Sequence, residues 1–411
     1  MVLPMLRFDL YLLARPDLAW DVLATHSASF MKGPTMQAAK RVLGESLLTS
    51  EGDHHRRQRR MIQPMFHHER IATYADEMVA LAEQAASRWA DGETFDVHRE
   101  MSRLTLGIVA RTLFGTDVGS GDAGRIGEAL NETLGQFDRA FSPFLPLTER
   151  LPLPSTRRFR HARQVMDQAI LAMIAERRST GARGDDLLSL LLRARDADVA
   201  MTDDEVRDEA MTLFLAGHET TSNALTWTWL LLSEHPEVET RFHAELDRVV
   251  GERLPTVHDA LPYTHAVLSE SMRLYPPAWA IGRRALRDHE ADGVRIPAGS
   301  VVVVSPWLLH HDARWWAEPS AFRPERWLDD EPMSDRHAYL PFGGGPRMCI
   351  GEGFAMLETR LLVATIGRRW SLRHDPAHRV ELQPVVTLRP RTGMPMVARG
   401  RGAAAGGGGT G

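Results

Sequence analysis

Residues 342–351 read Phe-Gly-Gly-Gly-Pro-Arg-Met-Cys-Ile-Gly, and Cys349 is the only cysteine among 411 residues. Three glycines precede the sulfur, and the apolar run behind it predicts a helix over 350–369. A thiol at a helix start and near an arginine is biased toward thiolate, because both neighbours favour the charged form. Thiolate is a strong, soft metal ligand. Gly343, Gly344 and Gly345 have no Cβ, so the backbone there can take positive φ angles and press against a flat ligand. On its own the stretch fits either a metal-ligating cysteine or an inert buried one behind a flexible turn.

Outward from this loop, helical periodicity dominates. Helices are expected over 17–24, 53–66, 69–89, 98–113, 123–138, 155–179, 185–195, 203–234, 236–250, 261–274 and 350–369. Strand-like segments are fewer: 293–296, 300–305, 380–382 and 387–390, with a further strand near the start. Most lie toward the chain ends, so their pairings should be long-range. No internal repeat is visible.

The helix over 203–234 carries the second signal. Thr202-Asp-Asp-Glu205 fits a capping box, and Pro236 stops the helix. Its middle is apolar on nearly every face, which requires burial. Yet Gly217-His218-Glu219-Thr220-Thr221-Ser222-Asn223 places polar groups there, and burying them costs free energy unless partners satisfy them. A third signal is Glu270-Ser271-Met272-Arg273, whose i,i+3 spacing sets both charges on one helix face before Pro276-Pro277.

The pattern F-x-x-G-x-R-x-C-x-G over 342–351 resembles the haem-binding loop of the cytochrome P450 family, in which a cysteine thiolate ligates haem iron. Ala216-Gly217-His218-Glu219-Thr220-Thr221 is similar to that family's motif on the long helix above the haem. Glu270-x-x-Arg273 and Phe322-Arg323-Pro324-Glu325-Arg326-Trp327 match its charge motifs, and the order along the chain agrees. The resemblance implies a mainly α fold with small β-sheets, with a long central helix over a buried haem b.

The same resemblance implies roles. Cys349 is the metal ligand. Phe342, Arg347 and Gly351 belong to the cofactor loop. His55 and Arg59, in His55-Arg56-Arg57-Gln58-Arg59, contact a propionate, as does an arginine in 280–284, with Arg283 favoured over Arg284. Glu219 relays protons and Thr220 hydrogen-bonds oxygen or its water. Gly217 and the Thr220 hydroxyl are expected to open the helix ladder locally. Glu270, Arg273 and Arg326 form a buried network that props the cysteine loop. Phe214, Ala216, Trp279 and Ile281 line the substrate space, with Leu215 and Ala280 beside them and Phe141, Phe144 and Leu145 near a lid.

The implied reaction is monooxygenation, placing one atom of dioxygen into a lipophilic small molecule such as a fatty acid or terpenoid. A peroxide-driven peroxygenase and a non-catalytic haem protein are the alternatives; the Glu219–Thr220 pair argues against both. No flavin or nicotinamide fingerprint is visible, so a ferredoxin with its NAD(P)H-linked reductase is the expected electron source. Arg56, Arg57, Arg60 and Arg360 are candidates for a basic docking patch.

Composition agrees with this class. Hydrophobic residues make up 43% and charged residues 25% of the chain, and net charge is −5, giving no argument for nucleic-acid binding. One cysteine rules out an internal disulfide and fits the cytoplasm. No stretch approaches the roughly 20 apolar residues of a membrane anchor. Histidine pairs at 54–55, 67–68 and 310–311 lack the spacing of a zinc site, and His310 reads as structural. One domain over 1–400 is expected, with a short N-terminal leader by comparison with the family and a Gly/Ala-rich disordered tail over 401–411.

Overall fold

A computed structural model describes residues 1–4, 8–115, 154–181, 184–197, 199–328 and 335–401. The expected helix over 123–138, the lid residues Phe141, Phe144 and Leu145, and the tail beyond 401 lie outside the described residues.

The helix Asp203–Glu234 forms over the predicted span. The Thr202 hydroxyl accepts from the Glu205 amide at 3.2 Å, and the Glu205 carboxylate accepts from the Thr202 amide at 2.8 Å. Two orphan donors of the first turn are thereby satisfied. At about 1.5 Å per residue the helix is about 48 Å long. Val97–Phe114, Pro154–Ser179, Pro262–Leu274 and Glu352–Gly367 pack around it. Its second half enters a core with Trp227, Trp229 and Leu230, and its first half enters another with Val206, Met211 and Phe214. The buried hydroxyls turn inward: Thr226 donates to the Ser222 carbonyl at 2.7 Å and Thr228 to the Ala224 carbonyl at 2.8 Å. That pairing removes most of the penalty of polar burial.

The sheets draw on distant parts of the chain. One runs in the order Val2–Pro4, Asp9–Leu13, Val301–Val304, Ile281–Ala285, Phe30–Lys32. Asp9–Leu13 and Val301–Val304 pair in parallel, with Leu12 opposite Val303; the other pairs are antiparallel. A second sheet joins Trp370–His374, Pro395–Gly400 and Thr94–Asp96.

Several boundaries differ from the expectation. The helix over 53–66 becomes Gly52–Ile62 followed by a 3-10 turn, Gln63–Phe66, because Pro64 has no amide to continue the α ladder. The span 69–89 divides into His68–Ala72 and Ala75–Ala86. The helix after Cys349 starts at Glu352, so the sulfur precedes it. Residues 17–24 form an α-helix, Pro16–Trp20, running into a π-helical turn, Asp21–Thr25. Among the described residues, no helix is long and apolar enough to cross a membrane.

Candidate functional site

The cysteine loop is shaped by two glycines in the left-handed region, Gly343 at φ 75° and Gly345 at φ 69°. A Cβ on Gly345 would overlap the Leu23 carbonyl and Ala24 Cα, so only glycine fits against that backbone. The Cys349 amide donates to the Phe342 carbonyl at 2.9 Å, closing the loop. Burial pushes the thiol above its ordinary range; the Gly351 amide, Arg59 and the Glu352 amide pull it down, while the Glu352 carboxylate adds to the rise. The ionisation expected from the helix start is therefore outweighed by desolvation. A metal cation bound at the sulfur would take the proton's place. Although the sulfur lies deep, Cys349 has open surface. Ala216 is also exposed, in the middle of a helix whose other residues from Val206 to Leu232 are buried or partly buried.

Positive charge gathers beside this loop. The Arg59 guanidinium donates to the Met348 carbonyl at 2.8 Å. Arg347 donates to the carbonyls of Ser27 and Phe30 at 3.0 Å each, and pairs with Glu51 at 2.7 Å. Arg283 is 6% exposed, and its Nε has no partner among the described residues. Burial and then Arg347 lower its pKa to about 10. His55 is buried, and burial followed by Lys32 and Arg347 holds it down at about 4, so it is neutral. Two members were missed from sequence. Lys32 donates to the carbonyls of Leu47 and Ser50 at 2.8 Å, and burial lowers it to about 7. Glu51 receives the Lys32 amide at 2.5 Å as well as Arg347. One carboxylate among several cations, with a buried guanidinium nitrogen left over, fits a ligand carrying carboxylates of its own, as haem does.

On the long helix, Glu219 and Thr220 face different partners. A Glu219 carboxylate oxygen accepts from the Thr387 hydroxyl at 2.7 Å, and Arg389 stands 3.9 Å away. Thr387 in turn accepts from the Asn223 amide at 3.0 Å, and the Asn223 carbonyl meets His98 Nε2 at 3.1 Å. The Thr220 hydroxyl donates to the Ala216 carbonyl at 2.6 Å, one turn back. The helix stays continuous here, so the local opening expected at Gly217 and Thr220 is absent. Back-bonding satisfies the hydroxyl without breaking the ladder.

The structural charges converge. Glu270 and Arg273 are fully buried and joined by two bonds of 2.8 Å. The same carboxylate accepts from Arg326 Nε at 2.9 Å, Trp327 Nε1 at 2.9 Å and the Arg323 amide at 3.0 Å. Arg273 also donates to the carbonyls of His310, Pro319 and Ala321. His310 Nε2 accepts the Leu340 amide at 2.9 Å, so Nδ1 carries the proton toward the Arg273 carbonyl at 3.0 Å. That histidine ties the network to the residues entering the cysteine loop.

The expected lining residues separate. Ala216 is exposed although it lies mid-helix. Ile281 lies against the loop at Gly343. Trp279 is half-buried and its indole donates to the Val385 carbonyl at 3.0 Å. Phe214 is 1% exposed, packed in the core with Met211 and Leu215. The basic patch is also altered. Arg56 pairs with Asp53, Arg57 with Glu205 and Arg60 with Asp196, and Arg360 turns toward the Val257 carbonyl. An open groove lined by Arg60, Gln63, Pro64, His67, Glu69, Arg70 and Thr73 adjoins that surface.

Comparison with known proteins agrees with this arrangement. The cytochrome P450 family model matches residues 4–394. Cyclooctatin synthase of Streptomyces melanosporofaciens is 40% identical over 386 residues, spanning 92% of this chain and 84% of the relative. Cyclooctat-9-en-7-ol 5-monooxygenase of the same organism is 41% identical, spanning 89% and 81%. Pentalenene oxygenase of Streptomyces avermitilis is 36% identical, spanning 92% and 84%. Among solved structures, the cytochrome P450DA heme domain superposes with a TM-score of 0.88 at 26% identity, covering 97% of this chain and 90% of that one. A cysteine loop, a buried cationic cradle and a long polar-centred helix, matched over nearly the whole length by one family, establish that this chain belongs to the cytochrome P450 family and is a monooxygenase.

Proposed function

We propose that this P450 inserts one oxygen atom of dioxygen into a terpenoid, by hydroxylation or epoxidation, with haem b held at Cys349. The observation that carries this reading is the similarity, at 41% and 36% identity, to enzymes named for cyclooctat-9-en-7-ol and pentalenene. Of the lipophilic classes expected from sequence, it favours a terpenoid over a fatty acid.

Haem, when bound, supplies the redox chemistry that activates dioxygen. The chain's residues do the rest. Cys349 holds the iron, and the Gly351 and Glu352 amides moderate the charge on its sulfur. Arg283, Arg59, Arg347 and neutral His55 bind and orient the propionates. Glu219, steadied by Thr387, passes protons inward. Thr220 shares a helix face with open Ala216 and presents its hydroxyl there. Apolar walls, Ile281 among them, exclude water and seat the guest.

Electrons come from a ferredoxin and its NAD(P)H-linked reductase in the cytoplasm. Met348, 37% exposed, and the groove holding Arg60 and Arg70 form the docking face. Their surface ion pairs are weak enough to exchange for a partner's carboxylates.

The test is a titration of the haem-loaded enzyme with terpene hydrocarbons, terpene alcohols and fatty acids, read as a shift of the Soret band. Turnover under isotopically labelled dioxygen follows. The expected product is a terpenoid carrying one labelled oxygen. Preference for fatty acids, or product without label, overturns the reading.

A further inference from the structure

Away from the haem cradle, three side chains converge from two distant segments. Asp21 and His26 come from the π-helical turn and its end, and His289 from the strand His289–Ala291. His26 Nδ1 lies 2.5 Å from one Asp21 carboxylate oxygen, and His289 Nε2 lies 2.6 Å from the other. The three donor atoms all lie within 4.8 Å of one another. None of these residues is used by the haem site or the reaction.

The local backbone explains the convergence. Residues five apart in an α-helix diverge around the axis, at about 3.6 residues per turn. Here the His26 amide donates to the Asp21 carbonyl at 2.8 Å, an i to i+5 bond. The wider turn carries Asp21 and His26 onto one face, and π turns of this kind cluster at functional positions. The fold then brings His289 to the same point, where its ring meets those of His26 and Phe30 at centroid distances of 5.0 and 5.1 Å.

We propose that Asp21, His26 and His289 form a binding site for one divalent transition-metal ion of the zinc class. Two imidazoles and one carboxylate suit zinc, copper or nickel far better than calcium or magnesium, which prefer all-oxygen sites. Zinc sits about 2.0–2.2 Å from such ligands, which in tetrahedral geometry places the donors about 3.3 Å apart. The carboxylate must therefore withdraw slightly from each ring. The His26 side chain, 52% exposed, can follow without disturbing the core and leaves a path for the ion. Three protein ligands leave the fourth position to water, so the ion is exchangeable.

The site also lies one layer behind the cysteine loop. The π turn supplies the Leu23 carbonyl and Ala24 Cα against which Gly345 packs, and Trp20 lies against Gly344. The Ser27 and Phe30 carbonyls, just beyond His26, are held by Arg347. An ion joining Asp21 and His26 to His289 pins the wall that the loop rests on, so it raises holoenzyme stability without entering the chemistry.

The experiment is calorimetric titration of chelator-stripped holoenzyme with zinc chloride, for wild type, His26→Ala and a control, His68→Ala, at another exposed histidine. The expected result is one saturable site in wild type, weakened at least tenfold by His26→Ala and unchanged by His68→Ala, with the Soret spectrum the same in all three. Zinc should also raise the thermal midpoint of wild type and of His68→Ala, but not of His26→Ala. Absence of a saturable site in wild type, or equal affinity in His26→Ala, overturns the proposal and leaves the three groups as a hydrogen-bonded cluster.

Discussion

The Thr387 hydroxyl donates to the Glu219 carboxylate at 2.7 Å, across 168 residues of sequence. A residue in the bend just before the strand Leu388–Pro390 thereby sets the position of an acid on the central helix. Thr387→Val removes that donor while keeping the side-chain shape. It should lower the fraction of NAD(P)H converted to product about tenfold, the effect of losing roughly 1.4 kcal/mol of positioning. Glu219→Gln should cost about 100-fold, the lower end of general acid–base help. Haem content and Soret position should stay at wild-type values in both, as measured by spectroscopy beside the coupling assay.

Among the described residues, Glu270 is the carboxylate that Arg273 and Arg326 share. Glu270→Ala leaves buried guanidinium charge without a counter-ion, a loss of about 3–5 kcal/mol. Purified variant should carry well under half the wild-type haem per chain and unfold at lower urea concentration. Full haem loading with unchanged stability would contradict the network's propping role.

Gly345→Ala and Gly293→Ala separate backbone strain from collision. Both glycines have positive φ, 69° and 72°. A methyl at 293 meets open space, whereas at 345 it overlaps the Leu23 backbone. Gly293→Ala should cost only about 1–2 kcal/mol, the left-handed penalty. Gly345→Ala should cost distinctly more and impair haem retention, checked by denaturation and by haem transfer to an apo-acceptor protein.

His310 is fully buried, and burial holds its pKa down at about 3. Its ordinary value is about 6.5, so between those values the unfolded chain binds the proton and the folded chain does not. Stability rises with pH across that window; the contribution is complete above about 6.5 and is lost as pH falls toward 3. His310→Gln removes the titrating group and should flatten the slope of stability against pH between 4 and 6 by up to about 1.4 kcal/mol per pH unit. Urea midpoints at a series of pH values measure this.

Arg70 lines the open groove and pairs with Asp185, which is 85% exposed. Arg70→Glu should raise the apparent KM for ferredoxin several-fold at low salt, with the difference shrinking as salt screens the charges. Arg57→Glu is the contrast. Arg57 pairs with Glu205, the acid that also caps the long helix, so its reversal should lower stability more than it alters ferredoxin dependence. Steady-state kinetics at two ionic strengths distinguish them.

Local chemistry was readable from sequence wherever neighbours in the chain carry the information. Thr202 and Glu205 lie within one turn, Pro236 acts on the residue before it, and the glycines at 343–345 shape only their own loop. These set the long helix, its ends and the loop that carries Cys349. Spacing also placed Glu270 beside Arg273. Phe30–Lys32, Pro34–Leu43 and Ile281–Ala285 escaped this reading. The strands among them are too short for a clear alternation, and their pairing partners are remote.

What the amino-acid order determined alone was therefore the helical architecture, the glycine loop around Cys349 and the family of the chain. Tertiary structure alone decided which charges meet. It brought Lys32 and Glu51 to the cationic cradle, Thr387 to Glu219, and His289 to Asp21 and His26. It reversed the expectation for the free Cys349 thiol, because desolvation outweighs the helix start, and it turned Phe214 into core. The reason is physical: helix periodicity and capping act over a few residues, whereas burial and electrostatic partnership depend on whatever the closed chain places within a few ångströms.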